Sequence, residues 1–177
     1  MKFRLMALGA GLVIVLGLIV AYAAISFGVV PANSDAKPSG LERWAARTSL
    51  NATIRRQMST TQNPLPVTDE NLTAGLKLYA TNCMACHGAS DGKASNIAHG
   101  LYQPAPQLGD RGVEDDPDGE IYWKIQHGIR FTGMPSFSKT LTDTQLWQLV
   151  MFLKQMDKLP PAVATAWKKE PSQASKM

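Results

Sequence analysis

Only two cysteines occur in the 177 residues, Cys83 and Cys86. A disulfide scaffold is therefore excluded, and so is any zinc or iron–sulfur site built from four thiolates. Charge is sparse: Asp, Glu, Lys and Arg make up 18%, and the net charge of +4 is only mildly basic. No run of Lys or Arg forms a nucleic-acid footprint, so no nucleic acid is expected as a partner. Internal repeats are absent. Hydrophobic residues at 45% exclude a disordered or fibrous chain. The length suits one compact domain with appendages.

Between Arg4 and Asp35 the chain carries no charged residue. A helix over Leu5 to Val30 would span about 39 Å, more than the roughly 30 Å hydrocarbon core of a bilayer. Lys2 and Arg4 should stay in the cytoplasm, so the remainder is exported. The rival reading is a cleaved signal peptide with Ala21-Tyr22-Ala23 as its processing site. The apolar run continues past that point through Ile25, Phe27, Val29 and Val30, long for a signal, and residues 1–30 are read as a transmembrane anchor.

Residues 31–67 read as a linker, punctuated by Pro31, Pro38, Gly40, Asn63, Pro64 and Pro66. Its middle, Leu41 to Met58, is compatible with a short helix that has Leu41, Trp44 and Ala45 on one face. Lys37, Arg43, Arg47, Arg55 and Arg56 outnumber the acids there; solvated charges explain them more simply than contact with anionic headgroups. Residues 68–156 hold three helical patterns. The first runs from Asp69 to Thr81 behind a Thr68 cap, with Leu72, Leu76 and Tyr79 on one stripe. Gly75 lies on that stripe at a cost of about 1 kcal/mol against alanine, which predicts a close helix crossing. The second runs from Gly119 to His127, with Ile121 and Ile125 inward and Gly128 as the stop. The third opens on the capping box Thr142-Asp143-Thr144-Gln145 and buries Leu146, Leu149, Val150 and Leu153. Pro160 and Pro161 close it off, and residues 157–177 read as a frayed Pro/Lys-rich tail.

Both cysteines fall in Cys83-Met84-Ala85-Cys86-His87. This is the C-x-x-C-H pattern of haem attachment. Two thiols on one helical turn can reach the vinyl groups on one edge of a porphyrin, and the adjacent imidazole can ligate its iron. A thioredoxin-type motif would expect a βαβ surrounding, and no buried strands are visible. A zinc site would need adjacent Cys86 and His87 on one tetrahedral ion. A disulfide across so short a loop would stabilise little.

A second axial ligand is expected from a methionine. Met1 and Met6 lie in the anchor, Met58 in the linker and Met177 at the tail. Met84 is beside the thiols, and packing explains Met151 and Met156. Met134 sits in the loop Gly128-Ile129-Arg130-Phe131-Thr132-Gly133-Met134-Pro135, where Gly133 would free the backbone and Pro135 stiffen it. The plainer alternative is a Met that fills a core gap. His127 ends a helix, where its charge suits the dipole, and His99 lies in a loop. The acidic run Glu114 to Glu120 lacks EF-hand spacing and reads as a solvated turn that caps the second helix.

From Thr68 to Met156 the chain resembles a class I mono-haem c-type cytochrome of the membrane-anchored bacterial type. The matching order is a helix, Cys83-x-x-Cys86-His87, a long loop with Pro106 and Leu108, a helix, Gly133-Met134-Pro135 and a final helix. The resemblance implies an all-α cytochrome c fold around one haem, with the N-terminal transmembrane helix added. It implies Cys83 and Cys86 as thioether sites of one covalent haem c, His87 and Met134 as iron ligands, and the Pro106 carbonyl as the group that orients His87. The implied function is a non-enzymatic electron carrier of a respiratory chain, its iron cycling between Fe(III) and Fe(II). It would sit on the periplasmic side of a bacterial inner membrane, with membrane redox complexes as donor and acceptor. A fixed subunit of an oxidase, reductase or quinol-oxidising complex is the alternative, and a haem enzyme or gas sensor with an open iron site is the third. From Glu70 to Met156, seven Lys and Arg face nine Asp and Glu, so the basic surplus lies outside this region.

Overall fold

The computed structural model describes residues 2–110 and 112–170. Regular structure among the described residues is entirely helical. The chain divides into two compact units, Met1–Ala36 and Lys37–Met177.

In the first unit, α1 (Lys2–Ser26) has no buried residue. Its mean hydropathy reaches 2.6 over its most apolar stretch, and it is long and apolar enough to cross a membrane. A helix that is apolar all round and satisfies its own backbone is the form that lipid requires.

The second unit is built on the crossing of α3 (Asp69–Asn82) and α7 (Asp143–Lys154). Thr68 caps α3 by accepting from the Asn71 N–H, and Thr142 with Gln145 forms a complete capping box on α7. Both apolar stripes are buried as their spacing predicts: Leu72, Leu76 and Tyr79 face Leu146, Leu149, Val150 and Leu153. Gly75 marks the point of closest approach. A Cβ there would clash with the Gln148 carbonyl oxygen and lie 2.7 Å from Phe152 Cβ. α6 (Asp118–His127) buries Ile121 and Ile125 and stacks Tyr122 on Trp147 at 4.3 Å between ring centroids.

Beyond this frame the structure departs from the sequence reading in four places. The expected fraying after Pro161 does not occur: α8 (Pro161–Lys169) folds back and buries Val163 and Trp167. Pro161 starts this helix because a first-turn residue has no N–H bond to lose. Trp167 meets Tyr79 and Phe152 edge-on at 5.4 and 5.5 Å, a three-ring cluster that joins α3, α7 and α8. The end of the expected tail, 171–177, lies outside the described residues.

The other departures concern the linker, the acidic run and His99. α2 (Gly40–Gln57) forms where a short helix is expected, but its inward residue is Ile54, while Leu41 and Trp44 are exposed. The strap that follows is bonded to the domain. Asn63 donates from its backbone to Asp118 Oδ2 (2.9 Å) and from its side chain to the Trp147 carbonyl (2.8 Å). Trp123 Nε1 donates to Gln57 Oε1 at 3.3 Å. The acidic run is held by two lysines rather than by solvent alone. Lys124 pairs with Asp116 (3.3 Å) and Glu120 (2.7 Å), and Lys154 donates to the carbonyls of Glu114 and Asp116. The cap of α6 is Pro117, which offers no side-chain acceptor. His99 stands at the end of a single turn, α5 (Asn96–His99), not in an irregular loop.

Candidate functional site

α3 ends at Cys83, and a tight turn of helix, α4 (Met84–His87), follows at once. The backbone N–H groups of Cys86 and His87 both bond to the Cys83 carbonyl, at 3.0 and 2.9 Å. This turn brings both thiols and the imidazole to one cavity. Gly88 ends the turn at φ +76°, a conformation that L side chains rarely adopt.

Polar contacts lock the turn from behind. Tyr79 Oη, fully buried, donates to the carbonyls of Gly88 (2.8 Å) and His87 (3.1 Å). Ser95 Oγ donates to the Ala85 carbonyl and accepts from the Ala98 N–H at 3.1 Å, which ties α4 to α5. Gln107 Nε2 donates to the Cys86 carbonyl (3.1 Å), and the Leu108 N–H donates to the His87 carbonyl (3.0 Å). Those last two bonds hold the 104–108 loop against α4.

The same loop sets the His87 tautomer. His87 Nδ1 lies 2.9 Å from the Pro106 carbonyl oxygen. A carbonyl only accepts, so Nδ1 carries the hydrogen and the Nε2 lone pair is left for another partner. Burial lowers the His87 pKa, opposed by the bond to Pro106, so the ring is neutral at physiological pH. Burial, and then the neighbouring Cys86, pushes the Cys83 thiol up to about 12. With nothing bound it is therefore held as the thiol.

Met134 reaches this cavity from the loop that follows α6. Gly128, at φ +67°, turns the chain; a Cβ there would lie 2.6 Å from the Pro135 carbonyl carbon. The Ile129 N–H then closes the loop on the Met134 carbonyl at 3.2 Å, and the Met134 N–H donates to Thr132 Oγ1 at 3.1 Å. The conformational freedom expected of Gly133 resides instead at Gly128 and at Phe131, which sits at φ +60°. Gly133 is small for another reason: a Cβ would run into the Leu101 side chain at 2.6 Å.

The cavity is lined by Cys83, Cys86, His87, Pro106 and Met134, with Leu101, Ile125, Ile129 and Phe137 among its apolar walls. Among the described residues that line it there is no Asp, Glu, Lys or Arg, and neither His99 nor His127. Among the described residues no three His, Cys, Asp or Glu side chains gather to hold a bare metal ion. Two thiols, one neutral imidazole with a free nitrogen, one thioether and apolar walls fit a large apolar macrocycle whose metal takes nitrogen and sulfur axially.

Sequence reasoning missed the groups behind α4. Tyr79 was legible only as a core position, and nothing in the pattern marked its hydroxyl. Ser95 and Gln107 are single polar residues in loops with no spacing signal.

The helical frame and this set of residues are similar to those of a c-type cytochrome domain. Together with the apolar α1, that similarity supports a membrane-anchored c-type cytochrome. Residues 70–153 match the family described as cytochrome c oxidase, cbb3-type, subunit III. The chain is 31% identical over 121 residues to the cbb3-type cytochrome c oxidase subunit CcoP of Cereibacter sphaeroides, in an alignment covering 60% of this chain. It spans only 39% of that relative's length. A chain of the Kuenenia stuttgartiensis reducing HAO-like protein complex Kustc0457/Kustc0458 is similar at a TM-score of 0.42 and 24% identity, over 54% of this chain and 49% of that one.

Proposed function

We propose that this chain carries single electrons in a respiratory chain on one covalently held haem c, with its cytochrome domain on the periplasmic side of a bacterial inner membrane. The observation that carries this reading is the convergence of both thiols, the His87 ring and the Met134 thioether on one cavity. When bound there, haem c supplies a one-electron Fe(III)/Fe(II) couple, and His/Met ligation raises its potential.

Each residue has a distinct task. The Cys83 and Cys86 thiols would add across the two vinyl groups, each forming one S–C bond while its hydrogen passes to the neighbouring vinyl carbon. His87 would ligate through Nε2, with the Pro106 carbonyl holding its ring and tautomer. Met134 would supply a soft, neutral second ligand. The apolar walls keep water from the site, and the bonds behind α4 and around the Met134 loop hold both donors rigidly. Because the ligands are fixed before and after transfer, little has to rearrange.

A second reading makes the same domain a fixed subunit of a membrane oxidase complex, with that complex as its partner. The match of residues 70–153 to a cbb3-type oxidase subunit family favours it. Purification from native membranes in mild detergent separates the two. A lone cytochrome supports the carrier, and a stoichiometric oxidase complex supports the subunit. The near-infrared charge-transfer band of Met–haem ligation tests Met134 in either case: it should be present in the parent protein and lost in Met134→Ala. Its absence from the parent would point to an open iron site.

A further inference from the structure

α2 has two faces. Ile54 faces the domain, and Glu42, the helix's one acid, accepts from Tyr102 Oη at 2.6 Å. Turned away from Ile54 is a stripe of exposed residues at three- and four-residue spacing: Leu41, Trp44, Thr48, Ala52 and Arg55. Arg56 flanks it, and no acidic residue lies on it. Leu41 and Trp44 are 73% and 64% exposed, which is costly for two large apolar side chains on one face. Arg47, Arg55 and Arg56 form no ion pair among the described residues.

We propose that this face of α2 lies on the anionic headgroup surface of the membrane that α1 crosses, with Leu41 and Trp44 in the interface and Arg55 and Arg56 on lipid phosphates. Three observations select lipid over a protein partner. First, only residues 27–39 separate α1 from α2, a stretch that reaches at most about 45 Å, so the lipid surface is always within range. Second, the charge is complementary and unopposed: Arg55 and Arg56 with no acid on the face, and the helix's one glutamate engaged by Tyr102. Third, the stripe has only two large apolar residues, far short of the roughly 800 Å² per partner of a stable protein interface. Tryptophan at one end and arginine along the polar side is the composition of an interfacial helix.

The seat has a consequence for the site. Tyr102, bonded to Glu42 in the first turn of α2, belongs to the 101–104 segment that rims the cavity. The strap after α2 is bonded to α6 and α7 through Asn63, and Gln57 at the end of α2 accepts from Trp123 of α6. With α2 on the lipid, the cavity rim is held at a fixed orientation to the membrane instead of tumbling on a tether.

The test uses the full haem-loaded chain in nanodiscs of phosphatidylglycerol or phosphatidylcholine. A small environment-sensitive fluorophore is placed by Thr48→Cys on the stripe, or by Thr140→Cys as a control on an exposed site elsewhere. Labelling rests on the haem attachment proposed above. One label per chain means that Cys83 and Cys86 are consumed, and three means that the attachment has failed, whatever α2 does. In phosphatidylglycerol, acrylamide quenching at position 48 should fall about threefold relative to phosphatidylcholine, and brominated lipid should quench strongly. Position 140 should not change. Arg55→Gln with Arg56→Gln should return position 48 to its phosphatidylcholine value. Equal acrylamide access in both lipids overturns the proposal. Protection that appears only when a solubilised native oxidase is added assigns the face to protein and overturns it as well.

Discussion

Removal of one oxygen atom from Tyr79 should loosen the Cys83–His87 turn without touching any proposed ligand. In Tyr79→Phe the ring remains, so its packing on Phe152 at 5.6 Å and Trp167 at 5.4 Å is kept. The hydroxyl serves two carbonyls, but unequally. The His87 carbonyl keeps the Leu108 N–H at 3.0 Å, whereas the Gly88 carbonyl loses the partner now at 2.8 Å. One buried carbonyl left unpaired costs about 1–3 kcal/mol. For a domain of this size that lowers Tm by roughly 4–10 °C. Thermal melts of the purified holoprotein read the loss directly. Tyr79→Leu, which also breaks the ring cluster, should lose about 3–5 kcal/mol, in line with other large core truncations. A Tyr79→Phe protein that melts within about one degree of the parent would refute the reasoning, because the hydroxyl would then contribute nothing net.

Three further outcomes follow from the packing and charge. Gly75→Ala should gain about 1 kcal/mol of helix propensity and still lose stability overall, on the order of 1–2 kcal/mol in urea melts, because its Cβ meets the backbone of α7. A variant more stable than the parent would mean that the two helices part freely. Trp167→Ala should cost about 3–5 kcal/mol, since Trp167 is 6% exposed in the ring cluster; a negligible loss would restore the picture of a frayed tail. The Tyr122 phenol is pushed up to about 12, mainly by burial and then by its bond to Asp143 and that group's charge. An unfolded phenol ionises near 10. The contribution is therefore fully present below pH 10 and lost as pH rises through about 12. Ultraviolet titration of Asp143→Asn should show this phenol ionising at lower pH, and an unchanged titration would exclude Asp143 as a cause.

The frame of the cytochrome domain was readable because each of its elements obeys a short-range rule. Thr68 and the Thr142–Gln145 box announce two helix starts, and the stripes Leu72–Leu76–Tyr79 and Leu146–Leu149–Val150–Leu153 announce which faces meet. Gly75 even marked the contact point, since a glycine on a helix stripe needs a reason and the α7 backbone is that reason. The members of the site were readable for a similar cause: Cys83, Cys86 and His87 are rare residues at a spacing that only one turn of helix satisfies.

What stayed hidden depends on tertiary contact. Pro160 and Pro161 end one helix and begin the next, and the sequence around them favours neither reading until Val163 and Trp167 find the faces of Tyr79 and Phe152. Asn63 looked like punctuation, yet it bonds to Asp118 and Trp147, 55 and 84 residues away. The sequence did not say which face of α2 is inward: Ile54 is buried and Leu41 and Trp44 are exposed because the domain surface, not the helix's own composition, chose the face. In the Met134 loop, the sign of φ at Gly128 and Phe131 is a property of how the loop returns to the end of α6, and no local pattern carries it.

The most direct test of the whole account is the mass of the tryptic peptide spanning residues 78–93, taken from the mature protein after export and haem loading. The account predicts that this peptide, and no other, is heavier by one haem, with both cysteines closed to alkylation. An unmodified peptide whose two cysteines take up iodoacetamide, from a protein that has passed through a competent maturation system, would contradict it.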